Sequence, residues 1–460
     1  MRTFIGRSQE LSALKDRYER PGFQMAVVYG RRRVGKTTLI NKFIDGCDCK
    51  AVSYVALQRG EREQLRAFGE TVLTALEPQM LGTVSFDSFE AVFAYLARAA
   101  QDERIVLLID EYPYLAAACA SMNSLLQRFV DHEWKGTQLY LILCGSLVSF
   151  MRDDVVGESA PLHGRATLEL KLHPMGFRES GQFVPRYSNE QKAIVYGLTG
   201  GVPKYLEQFD DTKSLDDNIV EQFYSSSGYF TAEQIQSLVT ADRTNPSAFN
   251  SVLMAIATGH TKYSEVASYA GLKDVTYYLR TLVSLELVER RTTGGRPYYV
   301  VSDPMVAFWF AHVSPAASLI NAGRGQLYYE RRVRDHLHEH MGPVFESMAR
   351  QYCFEHMGTA EFPYFATTIE EYQNSFKVEP DGFRQVELDL VGKDGNKIVF
   401  VGECKFRNQA VGAGELAELK DKVALLPVRN PGLVLFSLGG FTPAVRESSV
   451  TLIGIDDMYA

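Results

Sequence analysis

The sequence lacks the features of secreted and membrane-spanning proteins. It has six cysteines, and its one close pair, Cys47 and Cys49, has no matching partner pair that would complete a metal site. We therefore expect free thiols in a reducing compartment. The longest uncharged stretch, residues 136–151, is too short to cross a bilayer, and the first residues lack the apolar core of a signal peptide. These absences predict a cytoplasmic protein with no membrane segment.

An excess of positive charge is also absent. The formal net charge is −8 over 460 residues, so no global field draws the chain to nucleic acid or to anionic lipid. Any basic binding surface must therefore be local. The chain is too long for a single hydrophobic core, and its length predicts roughly three domains.

One stretch matches the pattern G-x-x-x-x-G-K-[ST] without a mismatch and predicts a phosphate-binding loop for ATP. Its residues are Gly30, Arg31, Arg32, Arg33, Val34, Gly35, Lys36, Thr37 and Thr38. The two glycines allow successive backbone N–H groups to point at an anion, and the following helix adds the positive end of its dipole. Lys36 is placed to neutralise the β- and γ-phosphates, and the Thr37 hydroxyl to ligate Mg²⁺. An apolar strand over residues 25–29 and helical spacing after the loop supply the context that the motif requires.

A second apolar run, residues 105–109, is followed by Asp110 and Glu111. In a nucleotide-binding sheet, a carboxylate at this point holds Mg²⁺ and its neighbour polarises the attacking water. We therefore predict Asp110 as a metal ligand and Glu111 as the catalytic base. A solvent-exposed strand end is the alternative, but it leaves the apolar run unexplained.

Three further predictions concern residues around this core. Ser146 follows a predicted strand over residues 138–146 and is a candidate sensor of the γ-phosphate. Arg165 is either an arginine finger that acts on a neighbouring subunit, which implies a homo-oligomer, or a surface arginine. Gly6 and Arg7, upstream of the first strand, either pack near the adenine or belong to an ordinary N-terminal helix.

Composition and periodicity divide the chain into five predicted regions. They are a P-loop core over 1–190, a helical lid over 191–245, a winged helix over 246–312, a helical linker over 313–340 and a nuclease-like domain over 341–460. The lid prediction rests on a break at Gly200, Gly201 and Pro203, which suggests a hinge over the nucleotide.

Three helices followed by a hairpin predict the winged helix. Its third helix carries only Lys273 and Arg280 as cations, so base reading by that helix is doubtful, whereas the hairpin carries Arg290, Arg291 and Arg296. The sequence leaves DNA contact and an intramolecular scaffold as open alternatives.

The last region contains a second group of charged residues. Asp389 lies near the end of one predicted hairpin strand, and Glu403 and Lys405 lie two residues apart on the next, so they share a strand face. Carboxylates can hold a divalent cation and a lysine can orient or deprotonate water, which are the parts of phosphodiester cleavage. Glu346, from a helix predicted to open at Gly342, is expected to complete the metal site. A salt-bridged hairpin edge is the alternative.

Together these motifs resemble the archaeal-type ATPase family, P-loop proteins near the AAA and signal-transduction ATPases. The matching segments are residues 4–7 with 10–11, 30–37, 110–115, 145–146, 164–165 and 200–206. The C-terminal part is similar to the domain of unknown function that often follows this ATPase and that resembles the PD-(D/E)xK nucleases, with Asp389, Glu403 and Lys405 at the matching positions. Leu388 stands where the nuclease pattern has proline. The resemblance implies an α/β P-loop sheet with a helical lid, then a winged helix and a restriction-endonuclease-like domain.

Two functions agree with these patterns. In the first, an ATPase that needs ATP and Mg²⁺ controls a nuclease-like domain that acts on DNA and holds a second divalent cation. In the second, ATP binding reorders the lid and the winged helix, and the C-terminal domain is an inactive docking module.

Overall fold

The computed structural model describes residues 4–230, 245–293, 296–378, 382–428 and 430–460. It divides into two compact units, Met1–Pro174 and Met175–Ala460. Part of the predicted lid, residues 231–244, and the glycine turn of the hairpin, residues 294–295, lie outside the described residues. Within those residues, no helix is both long enough and apolar enough to cross a membrane.

The first unit is built on a five-stranded parallel sheet with the order β2-β3-β4-β1-β5. The strands are β1 (Gln24–Tyr29), β2 (Lys50–Val55), β3 (Ile105–Asp110), β4 (Leu139–Gly145) and β5 (Leu168–Lys171). In β1, Met25 and Val27 pack into one hydrophobic cluster, while Ala26 and Val28 pack into another. Both faces of the sheet are therefore covered, which is why its central strands are continuous apolar runs. This confirms the predicted α/β class.

Helices cover both faces of this sheet. They are Ser8–Tyr18, Lys36–Asp45, Glu61–Leu76, Phe89–Ala99, Tyr112–Ala118, Met122–His132 and Val148–Phe150, with a 3-10 turn at Pro78–Met80 and a π-helical turn at Met151–Val155. The Ser88 side chain accepts a hydrogen bond from the Ala91 N–H and so caps the fourth helix. The sequence analysis missed β5 because the strand is only four residues long and two of those residues, Glu169 and Lys171, are charged.

The second unit begins with helices and then forms a hairpin. The helices are Phe177–Gly181, Asn189–Thr199, Pro203–Leu206, Leu215–Phe223, Pro246–Ala257, Tyr263–Ala270, Thr276–Ser284, Pro304–Phe308, Ala317–Asn321 and Gly325–Arg332. Strands β6 (Val288–Thr293) and β7 (Arg296–Val301) pair antiparallel. The predicted break at the glycine pair is confirmed, since Gly200 ends one helix at φ 61° and Pro203 begins the next. The winged-helix arrangement itself stays a prediction.

A long helix, Leu337–Glu355, corrects one prediction. We expected a helix to open at Gly342, but it begins five residues earlier and runs through Pro343. Buried Leu337, Met341 and Phe345 recur every four residues across the proline. Their continuous apolar stripe outweighs the one backbone hydrogen bond that Pro343 removes.

The last strands of the second unit form a five-stranded mixed sheet with the order β12-β11-β10-β9-β8. Its strands are β8 (Thr368–Val378), β9 (Gly382–Asp394), β10 (Lys397–Lys405), β11 (Gly432–Ser437) and β12 (Thr451–Gly454), with helices Ala413–Ala424, Pro443–Arg446 and Ile455–Tyr459. β8 and β9 pair antiparallel, as do β9 and β10, while β11 is parallel to both β10 and β12. The predicted hairpin of β9 and β10 is thereby confirmed. The sequence missed β8, an edge strand rich in polar residues.

Candidate functional site

The predicted loop and the predicted carboxylates meet at the carboxyl edge of the first sheet. β4 lies between β1, which leads into residues 30–38, and β3, which ends at Asp110. Parallel strands bring their carboxyl ends to one edge, and ligands bind there in open α/β sheets. The structure thus brings Lys36, Thr37, Asp110, Glu111 and Ser146 together.

The two loop glycines are required by the backbone. Gly35 has φ 92°, a left-handed conformation that side chains rarely adopt. At Gly30, a Cβ atom would lie 2.3 Å from the Leu172 carbonyl oxygen. Leu172, just past β5, therefore packs against the entry of the loop. Sequence reasoning missed this neighbour because β5 is only four residues long.

Lys36 lies across its own loop. Its Nζ donates to the carbonyl oxygens of Gly30, at 2.8 Å, and Arg31, at 2.9 Å. The side chain is buried, and this burial holds the pKa of Lys36 below its ordinary value despite the nearby Glu111 and Asp110. The ammonium group is thus held in the loop that would receive the phosphate oxygens, by two hydrogen bonds to carbonyl oxygens.

Thr37 and Asp110 form the direct link between the loop and β3. The Thr37 hydroxyl donates to Asp110 Oδ2 at 2.7 Å, and the Glu111 N–H donates to Asp110 Oδ1 at 2.9 Å. Asp110 is 4% exposed. A hydroxyl and a buried carboxylate side by side suit a hard cation such as Mg²⁺. These two residues therefore fit a magnesium ion bound with a nucleotide.

Glu111 is held in an unusual conformation next to Ser146. Its φ of 50° is in the left-handed region, which is uncommon for residues other than glycine. Its Oε2 accepts hydrogen bonds from the Ser146 hydroxyl at 2.8 Å and from the Ser146 N–H at 3.3 Å. The predicted base and the predicted sensor are thus in direct contact. Strained residues of this kind cluster at functional sites.

Arg7 contacts the phosphate-binding loop through its guanidinium group. It is 7% exposed, and its guanidinium donates to the carbonyl oxygens of Val34 and His173 and pairs with Glu10 at 2.9 Å. Gly6, at φ 64°, precedes it. Elsewhere on the loop, Arg32 donates to the Tyr114 hydroxyl at 3.1 Å.

Arg165 lies at the opposite edge of the sheet. It precedes β5, whose start pairs with the start of β1 through the Thr167 N–H and the Met25 carbonyl. A six-residue strand spans about 20 Å, so Arg165 is far from its own phosphate loop. It forms a two-point ion pair with Asp131, at 2.7 and 3.0 Å.

Pro203, the remaining predicted nucleotide contact, lies in the second unit.

The predicted C-terminal residues also come together. Asp389 accepts from the Cys404 N–H at 2.8 Å. Burial, and then the charge of Glu403, raises the pKa of Asp389 to about 6. Burial, and then the charge of Asp389, raises the pKa of Glu346 to about 7. Two crowded carboxylates of this kind gain from a neighbouring cation.

Glu403 is arranged differently from the other two carboxylates. It is 6% exposed, and its oxygens accept from Lys405 and from Lys422, each at 2.8 Å. In the parts of the chain that the structure describes, no group of three His, Cys, Asp or Glu residues is arranged to hold a metal ion. Glu403 therefore does not fit the predicted role of metal ligand as it stands. Sequence reasoning missed Lys422, which lies 17 positions after Lys405 on a helix.

Two family models match the chain. A model of the ATPase domain found predominantly in Archaea matches residues 4–209. A model of archaeal and bacterial proteins of unknown function matches residues 309–417. The first match includes the phosphate loop and Asp110, and the second includes Glu346, Asp389 and Glu403.

Individual relatives agree with these matches. An uncharacterized protein of Methanocaldococcus jannaschii is 28% identical over 415 residues, which cover 88% of each chain. An uncharacterized ATP-binding protein of the same organism is 40% identical over 50 residues, 11% of this chain and 85% of that protein.

Two solved structures are similar to part of this chain. A Walker-type ATPase of Pyrococcus abyssi is 19% identical with a TM-score of 0.48, covering 67% of this chain and 96% of its own. The ORC2 protein of Aeropyrum pernix is 13% identical with a TM-score of 0.46, covering 72% and 98%. Residues 4–209 are thus similar to the ATPase domain found predominantly in Archaea, and residues 309–417 to archaeal and bacterial proteins of unknown function.

Proposed function

We propose that the protein binds ATP with Mg²⁺ at residues 30–38 and hydrolyses it. The observation that carries this proposal is the 2.7 Å hydrogen bond between Thr37 and Asp110, which joins the phosphate loop to the carboxylate strand. Mg²⁺, when bound, neutralises charge on the β- and γ-phosphates. Thr37 and Asp110 would hold it.

In this proposal the other residues of the site bind the phosphates and position the catalytic base. Lys36 exchanges the carbonyl oxygens of Gly30 and Arg31 for phosphate oxygens, which are stronger acceptors for an ammonium group. Glu111 accepts a proton from the attacking water. Ser146 holds the carboxylate of Glu111 until the γ-phosphate competes for the Ser146 hydroxyl. Ser146 thus couples nucleotide binding to the position of the base.

Arg165 acts in trans in this proposal. Arg165 lies at the sheet edge opposite the phosphate loop, too far away to contact a nucleotide bound to the same chain. In this proposal it contacts the nucleotide bound to a second copy of the chain. Mixing Arg165→Ala with Lys36→Ala tests this directly, because each variant supplies the part that the other lacks. We expect each to be nearly inactive alone and the mixture to regain ATPase activity. Failure to regain activity would make Arg165 a surface residue paired with Asp131.

The C-terminal domain acts on nucleic acid in the first of two candidate functions. Asp389 and Glu346 are half-buried carboxylates, the charge of Asp389 raises the pKa of Glu346, and the two would hold the second divalent cation. Burial lowers the pKa of Lys405, but the charge of Glu403 outweighs it and the net pKa is raised. Lys405 therefore stays protonated at neutral pH and orients substrate rather than taking a proton.

A regulatory switch is the second candidate function, and one contact favours it. Arg291 of the predicted wing pairs with Glu289 at 3.0 Å and with Glu371 of β8 at 3.6 Å. The pair with Glu371 links the hairpin to the C-terminal sheet, as a scaffold contact would, whereas Glu289 lies on the same hairpin strand as Arg291. Arg290 and Arg296 are exposed and remain the wing's candidates for DNA contact.

One experiment separates the two functions. ATP hydrolysis is measured with no nucleic acid, with single-stranded DNA and with double-stranded DNA, and DNA nicking is followed with Mg²⁺ or Mn²⁺. Stimulated hydrolysis, with nicking that Asp389→Ala and Lys405→Ala abolish, supports the nuclease. Slow, unchanged hydrolysis without nicking supports the switch.

A further inference from the structure

Lys422 is an inward-facing lysine that the proposed mechanism does not use. It lies on helix Ala413–Ala424, three residues after Leu419, whose side chain is fully buried. Residues three apart share a helix face, so Lys422 points toward the sheet rather than toward solvent. Its side chain is 18% exposed. Lysines are rarely placed this way unless they pair with another group.

The partner of Lys422 is Glu403, which it shares with Lys405. Both ammonium groups lie 2.8 Å from Glu403, one on each oxygen. Glu418 is a more distant neighbour of Lys422, at 3.4 Å, but it is 62% exposed and water screens it. Burial lowers the pKa of Lys422, while its hydrogen bond to Glu403 raises it, and the net pKa is raised. Two charged lysines therefore share one buried carboxylate.

The charges of the C-terminal cluster fall into two groups. Asp389 acts on Glu403 and on both lysines, so it contributes one negative charge to this cluster. When the proposed divalent cation balances Asp389 and Glu346, the group of Lys405, Lys422 and Glu403 carries a surplus of one positive charge. A partly buried surplus charge is costly unless an opposite charge balances it. A phosphodiester group carries one negative charge, which matches this surplus, whereas a phosphomonoester carries nearly two at neutral pH.

We propose that Lys422 and Lys405 together bind a backbone phosphate of nucleic acid, and that Glu403 positions the two lysines rather than a metal. This inference rests on the proposed action of the C-terminal domain on nucleic acid. It reassigns Glu403 and adds Lys422 to the site. Lysine suits this role because its ammonium is a compact charge that binds phosphate from several directions.

The test compares variants of the full chain by fluorescence anisotropy with a fluorescein-labelled DNA duplex and a labelled single strand, over a range of salt concentrations. Lys422→Gln is expected to raise Kd about tenfold and to reduce the slope of log K against log salt by about 0.9 on the duplex. Lys422→Arg keeps the charge and should keep most of the affinity. Lys420→Gln, an exposed lysine on the same helix, is the matched control and should change Kd less than twofold.

Each outcome decides between this inference and its alternatives. DNA binding by the wild-type chain that is unchanged in Lys422→Gln overturns the role of Lys422 and leaves the proposed nucleic-acid function standing. A loss that Lys422→Arg does not restore, together with a lower unfolding temperature in both variants, shows a structural bridge and also overturns it. A wild-type chain that neither binds nor cleaves either probe removes the nucleic-acid function and this inference together.

Discussion

The two charged sites of this protein differ in what provides their charge. At residues 30–38, a glycine-containing loop leads into a helix N-terminus that carries Lys36 and Thr37, and Asp110 at the end of β3 contacts Thr37. In the C-terminal cluster, side chains from two helices and two strands supply three carboxylates and two lysines. The first site is organised by backbone and the second by long-range packing of side chains.

This difference appears in the electrostatics of each site. In the loop, burial lowers the pKa of the lysine, so a bound anion would stabilise its charged form. In the C-terminal cluster, burial and neighbouring carboxylates raise the pKa values of Asp389 and Glu346. The first site is therefore suited to an anion, and the acidic pair of the second to a cation. The predictions below test that contrast, beginning with the largest effect.

Removing the cation of the first site should have the largest effect. Lys36→Ala is expected to abolish ATP binding, a loss of at least about 100-fold, because charge-assisted bonds to phosphate disappear. Titration calorimetry with ATP and Mg²⁺ measures this. Lys42→Ala, an exposed lysine on the same helix, should bind normally. Retained affinity in Lys36→Ala would refute the phosphate-loop assignment.

Removing the charge of the proposed base should affect chemistry alone. Glu111→Gln is expected to leave ATP affinity intact and to lower kcat by about 10²–10⁴-fold, the usual contribution of a general base. Phosphate release under saturating ATP provides the measurement, and Glu103→Gln, on the surface, serves as the control. Normal turnover in Glu111→Gln would remove Glu111 as the base.

Removing the hydroxyl that contacts Glu111 should have a smaller effect. Ser146→Ala loses one hydrogen bond to a charged group, which corresponds to about a tenfold fall in kcat. The Kd for ATP should change little. A changed Kd with unchanged kcat would show that Ser146 contributes to binding and does not position the base.

The raised pKa of Glu346 in the second site should make the free energy of unfolding depend on pH. The pKa of Glu346 is about 7 in the folded state against an ordinary value of 4.5, so the folded chain keeps a proton that the unfolded chain loses. The contribution of Glu346 to stability is therefore lost as pH rises from about 4.5 through 7. Glu346→Gln should gain about 2.5 kcal/mol in unfolding free energy relative to wild type between pH 5 and pH 8.

Thermal unfolding at several pH values checks this prediction. Glu339→Gln, on the same helix and 79% exposed, is the control and should show no such trend. A constant difference between Glu346→Gln and wild type across this pH range would mean that burial and the charge of Asp389 do not raise the pKa of Glu346.

The contrast also explains what could be predicted from the sequence. The phosphate loop and Asp110 follow buried strands, so local pattern alone located them and the sheet brought them together. Lys422 could not be found, because only the packing of its helix on β10 brings it to Glu403.

The helix start at Leu337 was missed because proline suggested a boundary, while the apolar stripe through Phe345 favours continuation. β5 and β8 were missed because edge strands need few buried residues.

The most direct test is a crystal structure of the full chain with Mg²⁺ and a non-hydrolysable ATP analogue. The account predicts the triphosphate among the backbone N–H groups of residues 33–37, with the metal ion on the Thr37 hydroxyl. It also predicts that Lys36 Nζ leaves the carbonyl oxygens of Gly30 and Arg31 to contact phosphate. A nucleotide bound elsewhere, or Lys36 still bonded to both carbonyl oxygens beside a bound nucleotide, would contradict it.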